Sequence, residues 1–137
     1  MIKKNTIDKS SWLLGPWLDE PDDVQWQDSV TGYLCAIERH REFGHLCGYV
    51  RVPADHPVYK RHYKFLNKLR VHGGLTFSDV REGEGWWIGF DCAYLTDLTP
   101  VGRPAWYYFG SEPVYRTADW VIKETESLAL RLKSIQK

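Results

Sequence analysis

The sequence predicts an α+β domain: an antiparallel sheet built from two hairpins, packed by a C-terminal helix and a shorter middle helix. Two observations predict the sheet. Residues 31–38 with 45–52, and 72–79 with 86–94, are strand-length runs of alternating character bounded by turn formers. A third predicts the closing helix, because Val121, Thr125, Leu128, Leu132 and Ile135 recur at helical spacing. At 137 residues, 43% of them apolar, the chain suits a single domain over 1–137 with one core.

Residues 1–30 read as an irregular arm, punctuated by Pro16 and Pro21 and pinned to the body by Trp12, Trp17 and Trp26. Its five carboxylates, Asp19, Glu20, Asp22, Asp23 and Asp28, lack the spacing of a calcium loop and are expected to be solvated. The α+β core is expected over 31–137. Setting Glu38 opposite His45 in the first hairpin places Tyr33, Cys35 and Ile37 with Leu46, Gly48 and Val50 on an apolar face. Leu34, Ala36 and Glu38 then share the mixed face with His45, Cys47 and Tyr49.

Asp55, with Pro57 behind it, opens the middle helix, whose apolar positions are Val58, His62, Phe65 and Leu69. Lys60, Lys64 and Lys68 form a stripe on another side, either a solvated face or a local phosphate-docking patch. After the second hairpin the run Trp106-Tyr107-Tyr108-Phe109 reads as a buried or edge strand. Thr117 is the expected N-cap of the last helix, with Asp119 in its first turn.

Composition excludes several classes of function. Lys plus Arg and Asp plus Glu both number 18, so no overall field favours nucleic acid or an anionic membrane. Three cysteines without a short-spaced pair make no disulfide framework, and no apolar stretch is long enough to span a bilayer. Residues 1–10 carry Lys3 and Lys4 but no signal-peptide core follows. A reduced, cytoplasmic protein is the expectation. Phosphate-loop and dinucleotide fingerprints are absent, and no cofactor is expected.

The second hairpin is the candidate site. Alternation puts Trp86, Ile88, Phe90, Cys92 and Tyr94 on one face, which is core. Trp87, Gly89, Asp91 and Ala93 lie on the other. Setting Asp79 opposite Trp86 matches Phe77 to Ile88 and Leu75 to Phe90, and makes His72 and Asp91 diagonal neighbours beside Thr76. An aspartate fixing an imidazole tautomer leaves the other ring nitrogen as acid, base or ligand donor. His72 and Asp91 are therefore the candidate catalytic pair, with Thr76, Trp87, Lys60 and Lys64 as candidate ligand-binding residues.

Cys92 is expected to point into the core, away from His72, and to be inert. His45 and Cys47 could converge with His72 and Asp91 if the hairpins adjoin. No spacing matches a zinc pattern, so no metal site is assigned.

The segments Val71-His72-Gly73-Gly74-Leu75-Thr76-Phe77 and Trp86-Trp87-Ile88-Gly89-Phe90-Asp91-Cys92-Ala93 resemble a family of short uncharacterised proteins met in bacterial, phage and prophage genomes. Gly48-Tyr49-Val50, His56-Pro57 and Tyr115-Arg116-Thr117 look similar too, so the likeness covers roughly 45–135. Members tend to carry His where this chain has Tyr94, followed by an acid at Asp97. The resemblance implies an accessory role. The functional expectation is a domain binding a small polar or nucleotide-like ligand on the His72, Trp87 and Asp91 face. One alternative is a small hydrolase using His72 and Asp91. The other is an interaction module whose hairpin meets a partner or a second copy.

Overall fold

A computed structural model describes residues 1–81, 84–103, 107 and 112–135. Its six described strands are β1 (Ile2–Lys4), β2 (Asp23–Gln27), β3 (Leu34–Arg39), β4 (Leu46–Val52), β5 (Phe77–Arg81) and β6 (Glu84–Asp91). They form one antiparallel sheet in the order β1-β2-β3-β4-β6-β5. One helix, α1 (Ala118–Lys133), packs across β3 and β4. The class is α+β. The run Trp106 to Phe109 lies outside the described residues except for Tyr107.

The sheet is larger than two hairpins because the N-terminal arm joins it. Val24 and Trp26 of β2 are buried, while Gln25 and Gln27, which alternate with them, are exposed, the period of a half-buried strand. Nor is the arm's acidity simply solvated. Asp22 is fully buried, its Oδ1 3.0 Å from Arg39 Nε and 2.9 Å from Lys9 Nζ. Its Oδ2 accepts the Thr6 and Ile7 amides. Glu20 accepts the Tyr115 hydroxyl and the Ala118 amide, and so ties the arm to the start of α1. Asp28 accepts both the amide and hydroxyl of Thr31.

The β3–β4 pair keeps its expected faces with a different register. Glu38 stands opposite Cys47, a displacement of two residues, which preserves side-chain parity. Cys35, Ile37, Leu46 and Val50 are fully buried in the core under α1. Gly48 belongs to this face because a Cβ there would sit 2.3 Å from Thr125 Oγ1. Thr117 caps α1 by accepting the Trp120 amide, and Val121, Thr125, Leu128 and Leu132 are buried. No helix among the described residues is long and apolar enough to cross a membrane.

The expected middle helix is absent. Between 55 and 70 the described chain makes successive turns and a single 3-10 turn, Tyr63–Phe65. His56 Nδ1 accepts the Val58 amide and His62 Nδ1 accepts the Lys64 amide, local bonds that compete with a helix. Lys60 has φ of 62°, in the left-handed region, which interrupts any helical run. Val58 and Leu66 anchor the segment in the core, and His56 Nε2 contacts the Leu132 carbonyl of α1.

Candidate functional site

Two details of β5 and β6 decide where the expected site residues lie. Asp79 pairs with Trp87 rather than Trp86, and a bulge follows between Asp79 and Arg81. A one-residue change of register reverses the faces of β5. Phe77 therefore stands opposite Gly89 and packs edge-on against Tyr49 at 5.2 Å. In addition, β5 begins only at Phe77, so His72 lies outside the strand and its direction does not follow strand alternation.

Trp87 and Asp91 lie in the row of Arg51, Tyr49 and Cys47, on the face away from α1. Arg81 covers this row, its guanidinium 4.1 Å from the Tyr49 ring centroid and 4.8 Å from that of Trp87. Asp91 Oδ1 accepts the Ala93 amide. His72 is on the helix side, its ring edge-on to Trp120 of α1 at 5.0 Å. The expected His72–Asp91 pair is not formed.

Thr76 is exposed and donates its amide to the Gly89 carbonyl. Lys60 and Lys64 are exposed over the Tyr59 and Phe65 rings, in the segment anchored on the helix side. They do not join Trp87. Cys47 lies on the outer row and His45 precedes it, so His45, Cys47, His72 and Asp91 do not converge.

The partner of His72 is Asp97. A turn over residues 71–74, closed by the Gly74 amide on the Val71 carbonyl, presents the histidine. Gly73 and Gly74 have φ of 68° and 84°, values open to glycine at little cost. The His72 amide donates to Glu124 Oε2 at 2.8 Å and fastens the turn to α1. Its Nε2 lies 2.9 and 2.8 Å from the two Asp97 oxygens. The side chain of His72 is 13% exposed and that of Asp97 is fully buried.

Asp97 also accepts Arg116 Nε at 3.0 Å and the Tyr94 amide at 3.0 Å. The Arg116 guanidinium stacks over Trp120. Burial alone would raise the Asp97 carboxyl, but hydrogen bonds from His72 and Arg116 hold it below the usual carboxylate value. Asp97 is thus an anion at neutral pH.

Cys92 reaches the same place. It is buried on the core face as expected, but His72 is on that side too. One donor atom each from His72, Cys92 and Asp97 lies within 4.8 Å of the others. Burial, and next the charge of Asp97, push the Cys92 thiol well above its ordinary range, so it is no nucleophile.

Asp97, Arg116, Trp120 and Glu124 complete the centre and escaped the sequence reading. Its one available signal was the acid at Asp97 in the family resemblance. Fold and site together define a two-layer α+β protein with a histidine–aspartate–arginine centre at the edge of its core. Comparison of the chain with family models, curated proteins and solved structures finds no match in any of the three.

Proposed function

We propose that the protein is a small hydrolase working through His72, with Asp97 in the role that sequence reading assigned to Asp91. The observation that carries this is the contact of His72 Nε2 with a buried, Arg116-held carboxylate. An Nε2–H donated to Asp97 leaves the lone pair on Nδ1, which has no hydrogen-bond partner among the described residues. Nδ1 would take a proton from attacking water and return it to the leaving group, while Asp97 stabilises the intervening imidazolium. The resemblance of the His72 and Trp87 segments to phage and prophage proteins would fit an accessory role.

The test is a panel of chromogenic carboxylic and phosphoric esters. His72→Ala should abolish turnover, and Asp97→Asn should reduce kcat by about 10²–10⁴ while near-ultraviolet circular dichroism is retained. Turnover unchanged in His72→Ala, or absent from the wild type across the panel, refutes the reading.

A second reading rests on the outer face. A cavity of about 150 Å³ there is lined by Lys4, Asp23, Gln25, Glu38, Arg81 and Trp87 among others. Pockets for drug-sized ligands run to roughly 300–1,000 Å³, so this one suits a small polar molecule rather than a whole nucleotide.

A further inference from the structure

We propose that His72, Cys92 and Asp97 form a binding site for a divalent transition ion of the zinc type. It rests on the hydrolytic reading of the same centre and gives His72 the part of an ion ligand in place of the base. His72, and Cys92 and Asp97 twenty and twenty-five positions on, each bring a different donor element, nitrogen, sulfur and oxygen, within 4.8 Å of one another. That set is the borderline mixture zinc accepts, whereas magnesium and calcium require oxygen cages.

The three donor atoms lie within 4.8 Å of one another, so an ion would draw the widest pair inward. Zinc bonds of about 2.0–2.3 Å in a tetrahedron set ligand atoms roughly 3.3–3.6 Å apart. His72 Nε2 and Asp97 Oδ2 stand 2.8 Å apart. They close on a proton, and must part by roughly half an ångström to close on an ion instead. Binding releases the Cys92 thiol proton to solvent and moves the His72 ring proton from Nε2 to Nδ1.

The surroundings are those of a supported ligand set. Asp97 Oδ1 is held by Arg116 Nε and Oδ2 by the Tyr94 amide, so the ion would take the remaining lone pair of Oδ2, and the turn carrying His72 is tied to Glu124. Such outer contacts orient ligands and tune affinity. Charge also balances: a dication and Arg116 meet the Cys92 thiolate, Asp97 and Glu124. Three protein ligands leave a fourth position for water, as in catalytic rather than structural zinc sites. An ion held there would supply a polarised water as nucleophile, in place of one activated by His72 Nδ1.

The experiment uses the full chain, stripped with a chelator and titrated with Co²⁺ and then Zn²⁺. One equivalent of Co²⁺ per chain should bind with tetrahedral d–d absorption and a thiolate-to-cobalt band, and Zn²⁺ should displace it. Cys92→Ser should remove the thiolate band, and Asp97→Asn should weaken Zn²⁺ by at least the 10–100-fold typical of outer contacts. Cys47→Ser should leave both readouts unchanged. Wild-type protein without a thiolate–cobalt band overturns the proposal, whether or not any variant folds. So does a band lost in Cys47→Ser and kept in Cys92→Ser. Ion binding without ester turnover sinks the hydrolytic reading alone. His72-dependent turnover in stripped protein that takes up no ion sinks this inference alone.

Discussion

His45 should make the protein acid-labile well above the pH at which its carboxylates protonate. The ring is 5% exposed, it stacks on His40 at 4.8 Å, and its Nδ1 has no hydrogen-bond partner among the described residues. Burial, reinforced by the neighbouring His40 and by Arg103, pushes its pKa from 6.5 down to about 4, with Asp91 and Asp97 opposing. The unfolded chain therefore binds this proton below pH 6.5, and the folded chain only below about 4. Within that window the unfolded state holds more protons, so stability falls as pH falls. At about 1.4 kcal/mol per pH unit, the full loss comes to about 3 kcal/mol. That is a large share of the roughly 5–15 kcal/mol that keeps an ordinary domain folded.

Chemical denaturation at a series of pH values from 7 to 4 measures the loss directly. His45→Phe keeps a ring beside His40 and Phe43 and removes the ionisation, so its stability should be nearly flat over this window. Asp22 and Asp97, both held below the usual carboxylate value, act at lower pH. Their stabilisation is present above the unfolded pKa and is lost as pH falls through the folded one. An equal slope between pH 6.5 and 4 in His45→Phe and the wild type would refute the reasoning.

Two further substitutions probe how the arm and the helix are held. Arg39 has a fully buried guanidinium bonded to Asp22, Glu20, the Pro21 and Gly44 carbonyls and the Tyr115 hydroxyl. Arg39→Met leaves Asp22 buried with only Lys9 as a charge partner. It should cost about 3–5 kcal/mol in urea denaturation, part of it recovered in the double variant with Asp22→Asn. Gly48→Ala sets a Cβ 2.3 Å from Thr125 Oγ1 and 2.5 Å from Phe90 Cε1. It should lower stability by about 1–3 kcal/mol in the same assay, and a neutral effect would show that α1 yields freely there.

Several elements were legible because their signals are local. The cap at Thr117 and the apolar period from Val121 to Leu132 describe α1 closely, since capping and helical periodicity act within a few residues. The faces of β3 and β4 were legible even though their register was not, because a displacement of two residues leaves parity intact. Strand β2 was hidden behind Pro21 and the acids beside it. Their meaning depends on Arg39 and Lys9, which stand 17 and 13 positions from Asp22 in the chain. The stretch from 55 to 70 carried a helical apolar spacing. Its own histidines capped turns instead, and Val58 and Leu66 were taken up by a core that periodicity does not see.

Sequence alone determined that the chain is α+β and which strand faces of the first hairpin are apolar, and it singled out His72 as a candidate. Tertiary structure alone decided its partner. Period-two alternation constrains side chains only inside a strand, and His72 lies five residues before β5 begins. Trp87 and Asp91 stay on the outer face that β6 alternation gives them, the one-residue register change reverses only β5, and His72 lies on the helix side. Asp97, Cys92 and Arg116 meet His72 because the chain just after β6 and the chain just before α1 both come to the helix side of the sheet, where His72 lies against Trp120. That proximity arises from long-range packing, which local patterning does not encode.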